Sequence, residues 1–137
     1  ETLADWLGGF DPTRVPFART ALGDILYFRD LRARAAMLGA PDAERACDVS
    51  VIDVRHKRTM VIATGLAELV DDVLGSPEAL ARIFRKDLFD RALERLGPPS
   101  ADELYGFVPA LALGGPEDPA ALERMKADEH LSMLFQI

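Results

Sequence analysis

Few residues in this chain have types and spacings that could do chemistry. Asp102, Glu103 and Tyr105 stand together, and Glu129-His130 follows far along the chain. If the last helix folded back, that set could hold a hard cation or run acid-base chemistry. Two adjacent acids point in opposite directions, however, and capping and surface charge account for them more simply. His130 then reads as a structural or interface residue. Cys47 is the single cysteine, has no neighbouring His to activate it, and reads as a small core residue. Arg55-His56-Lys57-Arg58 could grip phosphate, but a solvated hairpin tip with an exposed His56 is the plainer reading. No Gly-x-Ser-x-Gly, Gly-x-x-x-x-Gly-Lys-Ser/Thr or His-Glu-x-x-His pattern occurs. One cysteine and two histidines are too few for a Cys/His zinc site, so neither metal nor cofactor is expected.

The charge is more informative than the motifs. The chain has 137 residues, 49% apolar and 28% charged, with a net charge of −7. That suits one small acidic domain able to bury a core. Residues 1–64 carry nine acids and nine bases, whereas residues 65–137 carry fourteen acids and seven bases. A field of that sign repels phosphate backbones and anionic lipid, which argues against direct nucleic-acid or membrane binding, and it speeds encounter with a basic protein. No apolar run nears the roughly 20 residues that span a bilayer, and no signal peptide opens the chain, so a cytoplasmic protein is expected.

Elements follow from the pattern. Leu3, Trp6 and Leu7 read as the end of a helix whose apolar face expects a partner, stopped by Gly8-Gly9, which points to chain before residue 1. Residues 14–20 and 24–29 suit a hairpin with Gly23 between them. Residues 31–45 read as a mobile connection broken at Gly39-Ala40-Pro41-Asp42. Residues 46–55 alternate through Cys47, Val49 and Val51, then change face at Ile52 and Val54, as a bulge or two-sided burial requires; residues 60–64 supply the partner strand. After Gly65 the period turns helical, with Leu66, Leu69, Val70, Val73 and Leu74 as a stripe, Asp71-Asp72 outside it and Gly75 at its end. Ser76-Pro77-Glu78 starts a further helix reaching Leu96, with a break near Lys86 or Asp87, and Gly97-Pro98-Pro99 stops it. Ser100 and Glu103 have capping-box spacing. Residues 105–115 read as an apolar strand or extended segment in which Pro109 argues for an edge. Asp118-Pro119 caps a final helix burying Leu122, Met125, Leu131 and Leu134, interrupted near Ala127-Asp128. The aromatic set Tyr105, Phe107, Phe84, Phe89 and Phe135 reads as core first and binding surface second. The fold class is α+β, a mostly antiparallel sheet of two hairpins packed by C-terminal helices.

Leu93-Glu94-Arg95-Leu96-Gly97, the run at 102–115 (Asp-Glu-Leu-Tyr-Gly-Phe-Val-Pro-Ala-Leu-Ala-Leu-Gly-Gly), and Leu122 through Lys126 to Glu129-His130-Leu131 and Gln136 resemble the C-terminal domain of type VI secretion immunity proteins of the Tdi type. Those proteins protect against Tde-class DNase effectors. Arg19-Thr20-Ala21-Leu22-Gly23-Asp24 resembles the end of the GAD-like domain that precedes it. No linker divides residues 1–137, which read as a single domain; the resemblance implies 1–64 as the GAD-like end and 65–137 as the immunity part. It implies a protein that neutralises a cognate nuclease toxin by binding it, without catalysis. If the acidic third is the contact surface, Asp71, Asp72, Asp102, Glu103, Glu117, Asp118, Asp128 and Glu129 are the toxin-interface candidates, with Tyr105 as aromatic anchor. The motif residues Gly97, Gly106, Phe107, Pro109, Gly114, Gly115 and His130 could equally serve backbone geometry and packing, which is the preferred reading. A general interaction or adaptor module, and a small metal-dependent enzyme using Asp102, Glu103 and His130, are the competing readings.

Overall fold

A computed structural model describes residues 2–137. Helix α1 (Thr2–Trp6) precedes four strands, β1 (Arg14–Arg19), β2 (Ile25–Asp30), β3 (Cys47–Asp53) and β4 (Arg58–Ala63), which form one antiparallel sheet in sequence order. Helix α2 (Arg32–Met37) lies in the β2–β3 connection. Helix α3 (Leu66–Glu68) continues as a wide turn over Leu69–Val73, then come α4 (Pro77–Arg82) and α5 (Lys86–Leu96). Strands β5 (Glu103–Phe107) and β6 (Leu122–Lys126) pair antiparallel, and α6 (Ala127–Gln136) closes the chain. The fold is α+β.

Both faces of the four-stranded sheet are covered, which explains the face change at Ile52. Ile25, Tyr27, Ile52 and Val54 pack with Leu104, Leu131 and Leu134 of β5 and α6. Leu26, Val49, Val51 and Ala63 pack on the other side with Leu69 and Val73, flanked by Ile83 and Phe84. A bulge between Val49 and Ser50 adjusts the β3–β4 register. A third cluster joins Leu22 to Leu88 and Ala92 of α5 and to Tyr105, Phe107 and Leu122 of the small sheet.

The face of α1 has its partner within the described residues. Trp6 donates from Nε1 to the Leu131 carbonyl at 3.2 Å and meets Phe135 edge-on at 5.5 Å between ring centroids, while Leu7 is buried. The Leu3 side chain lies outside the described residues. The 31–45 connection holds the short α2 and a turn at Ala43–Arg45, tied at its neck by Leu31 N–H to the Ala46 carbonyl at 3.0 Å.

Several expectations need correcting. The final helix does not begin at Asp118-Pro119: Asp118 caps only a single turn at Pro119–Ala121, accepting from Ala120 N–H at 2.8 Å. Leu122 and Met125, three apart, then enter β6, because buried β5 requires a strand to take its backbone groups. The interruption expected near Ala127-Asp128 is the boundary between β6 and α6. The strand or extended segment expected over 105–115 is a strand only as far as Phe107; Val108–Pro109 is cis, and a short turn at Leu111–Leu113 follows. The helix break falls at Arg85, whose φ is +51°. Of the capping box, Glu103 accepts from Ser100 N–H at 2.9 Å, but Glu103 opens a strand.

Candidate functional site

The segment Arg19–Asp24 and the run at 102–115, which the sequence singles out, meet in space. Thr20 begins the tight β1–β2 turn: its Oγ1 accepts from Asp24 N–H at 3.1 Å and its carbonyl accepts from Gly23 N–H at 3.0 Å. Gly23 takes φ +95°, and a Cβ there would press on Leu104 and Val54 at 3.2 Å. From this turn the Ala21 carbonyl accepts Tyr105 N–H at 2.7 Å. Arg19 donates from Nη1 to the Glu103 carbonyl at 3.2 Å and from Nη2 to the Ala101 carbonyl at 3.0 Å.

The motif glycines are places of close approach. At Gly106 a Cβ would lie 2.6 Å from His130 Nε2 and 2.8 Å from Met125 Sδ. At Gly115 it would overlap the Pro109 carbonyl oxygen. Gly97 and Gly114 adopt φ +74° and +85°, a region that favours glycine. Phe107 is buried beside Leu122, and His130 is buried with its pKa lowered by desolvation, so its imidazole is neutral near pH 7. Tyr105 is fully buried, tilted against Phe89, with its hydroxyl donating to the Gly97 carbonyl and its pKa raised by burial. Tyr105 is therefore no surface anchor in this fold.

A chain of charges unmarked in the sequence runs beside this block. Asp24 and Arg55 form a buried pair, Arg55 Nη2 donating to Oδ1 and Oδ2 at 3.3 and 3.2 Å. Arg55 Nε sits 3.4 Å from Asp53 Oδ1, and Nε and Nη1 make no hydrogen bond. Arg55 borders a cavity of about 10 Å³, the size of one water, shared with Phe107, Ala110, Leu111, His130 and Leu134. Asp53 Oδ2 lies 2.7 Å from His56 Nδ1; His56 Nε2 faces Glu117 at 3.6 Å; and Arg85 donates to Glu117 at 2.8 Å and to Asp87 at 2.9 and 3.0 Å. The solvated basic tip expected at 55–58 is thus wrong for Arg55 and incomplete for His56; only Lys57 and Arg58 fit it well, and Arg58 also reaches Asp53 at 3.2 Å. Burial pushes Asp24 up to about 6 against the opposing pull of Arg55. Burial also works against the Asp53 carboxylate, but His56 and Arg55 hold it below its usual range. Asp24 closes the Arg19–Asp24 segment and stands directly before the apolar run Ile25-Leu26-Tyr27, but neither feature points to Arg55 as its partner.

The acidic candidates separate into engaged and unengaged groups. Asp102 binds Lys126 at 2.5 Å, which lowers its pKa; Glu103 accepts from Ser100 and faces Arg124 at 3.7 Å; Glu117 and Asp118 are used as above. Asp71, Asp72, Asp128 and Glu129 are exposed and stand outside these pairs. Asp102, Glu103 and His130 do not converge, and among the described residues no cluster of three or more His, Cys, Asp or Glu could hold a metal ion. No helix of the described residues is long and apolar enough to cross a membrane.

A block of packed motif residues locked to a preceding hairpin, with exposed acids around it, suits a module that binds another protein. Residues 66–137 match the family described as T6SS immunity protein Tdi1, C-terminal, and the chain belongs to this family of type VI secretion immunity proteins. The crystal structure of Atu4351 from Agrobacterium tumefaciens has the same fold, with a TM-score of 0.62 and 19% identity over 98% of this chain. The chain spans 61% of the length of that protein. No curated protein matches it.

Proposed function

We propose that this protein binds a cognate DNase effector of the type VI secretion system in the cytoplasm of the producing cell and blocks it by direct contact, without catalysis. The observation that carries this reading is the family match over residues 66–137, the part of the chain with fourteen acids against seven bases. A nuclease must present a basic surface to DNA, and the same field draws in an acidic inhibitor, so association is fast before short-range contacts slow release. We read residues 1–137 as one functional unit, supported by cores that mix β2 and β3 with β5 and α6.

Co-expression of the chain with the nuclease-like effector encoded beside its gene tests the reading. Co-purification together with intact plasmid DNA is the expected result. Co-purification with degraded DNA would point to an adaptor instead, and a folded effector that retains none of this chain would remove the reading.

A further inference from the structure

The helical stretch at 66–74 is apolar on more sides than it buries. Leu69 and Val73 are buried against Val49, Val51 and Ala63 of the sheet. Leu66, Val70 and Leu74, spaced four apart, remain 52%, 58% and 43% exposed. Residues at that spacing line one side of a helix, so the three aliphatic side chains form a ridge rather than scattered surface contacts. The wide turn, in which Leu74 N–H reaches the Leu69 carbonyl at 2.8 Å, lets Leu69 and Val73 both face the sheet while Val70 and Leu74 face outward.

The stretch of chain that forms the ridge carries charge of one sign. From Thr64 to Ala81 the chain has Glu68, Asp71, Asp72 and Glu78 and no Lys or Arg. Glu68 is occupied by Thr64, whose N–H it accepts at 2.9 Å, whereas Asp71, Asp72 and Glu78 are exposed. A second copy of this chain fits poorly: two-fold pairing through one patch sets each Asp71-Asp72 near its counterpart, on molecules each carrying −7. Anionic lipid is repelled by the same acids.

We infer that the Leu66-Val70-Leu74 ridge, with Asp71 and Asp72 beside it, is a docking surface for the effector, contacted by a basic patch that surrounds an apolar recess. This rests on the proposed function above. Apolar contact along the ridge sets the dissociation rate, and the aspartates set the association rate.

Binding kinetics of the purified full chain with the effector, at low and high salt, test it. The variants are Leu66→Gln/Val70→Gln/Leu74→Gln, the single Val70→Arg, and Asp71→Lys/Asp72→Lys. All change exposed side chains, so melting temperatures should stay close to wild type. We expect the triple variant and Val70→Arg to weaken binding at least about tenfold, mainly through faster release. The aspartate reversal should slow association about threefold or more and flatten its salt dependence. If the wild type binds and all three variants bind equally well, the ridge is not the docking surface, while the immunity reading stands. If the wild type fails to bind the effector, both fail. Self-association that disappears in the triple variant would assign the ridge to a second copy and overturn the inference.

Discussion

Ala21 and Tyr105 are joined through their backbones at 2.7 Å, which puts the β1–β2 turn against the first strand of the motif block. Around that bond Leu22 enters the core shared by Tyr105 and Phe107, and a Cβ on Gly23 would press on Leu104. The side chain of Tyr105 then anchors inward to the carbonyl of Gly97. Tyr105→Phe should lower stability by about 1 kcal/mol, the loss expected for one partly buried hydrogen bond, and leave effector binding unchanged. Chemical denaturation and a binding isotherm on the same preparation check both halves.

The Asp24–Arg55 pair should behave as a buried pair does. Arg55→Met strands the Asp24 carboxylate in the core and should cost about 3 kcal/mol or more. Asp24→Asn/Arg55→Met, which removes the stranded charge, should recover part of that loss. A urea-denaturation double-mutant cycle measures the coupling, and strict additivity would mean that the two side chains do not interact.

The same aspartate gives a pH dependence of defined sign. Its folded pKa is about 6, above the 3.8 of an ordinary aspartate, so between these values the folded state binds the proton that the unfolded state has lost. Asp24's contribution is therefore present at low pH and lost as the pH rises from about 4 to about 6. His130 acts oppositely: its folded pKa is lowered, so its contribution is lost as pH falls below its ordinary 6.5. The depressed carboxylates of Asp53, Asp87 and Asp102 also favour the folded state at higher pH. Stability of the wild type minus that of Asp24→Asn isolates the one group, and the difference should fall through this window and level off above it.

Gly106 and His130 form a steric pair. Gly106→Ala should destabilise by about 1–3 kcal/mol because its methyl group meets the imidazole and the Met125 sulfur, both of which must move. Gly115→Ala should be worse, since the obstacle there is the Pro109 backbone carbonyl. Thermal melts of the two variants give the order.

Sequence reading reached the α+β class, the two hairpins and the two-sided burial of β3, because strand alternation and its reversal at Ile52 are local signals. It placed the helix break near Lys86 or Asp87, one or two residues from Arg85. It missed β6 because Leu122 and Met125 at a spacing of three, after a genuine Asp118 cap, mimic a helix start, while the deciding fact is a pairing with Phe107 and Leu104 of β5, 15 and 21 residues earlier. Arg55 looked solvated because nothing local links it to Asp24, 31 residues earlier. Tyr105 reads first as core, which its burial bears out; its second reading as an anchor fails because Phe89 and the Gly97 carbonyl hold the ring inward, which the local pattern does not encode.

The exposed acids outside the short ion pairs offer a sharper probe of the surface than Asp102 and Glu103, whose reversal would also break the pairs with Lys126 and Arg124. Asp128→Lys/Glu129→Lys should reduce the association rate with the effector by about threefold at low salt, and should also lower stability by about 1 kcal/mol, because both acids occupy the first turn of α6 at the positive end of its dipole. Stopped-flow association at two ionic strengths distinguishes a rate effect from loss of fold.

The most direct test of the immunity reading is a titration of purified chain into purified effector with supercoiled plasmid as substrate. The account predicts that cleavage falls steeply and is abolished near an equimolar ratio. Cleavage that continues undiminished in large molar excess of the folded chain would contradict it.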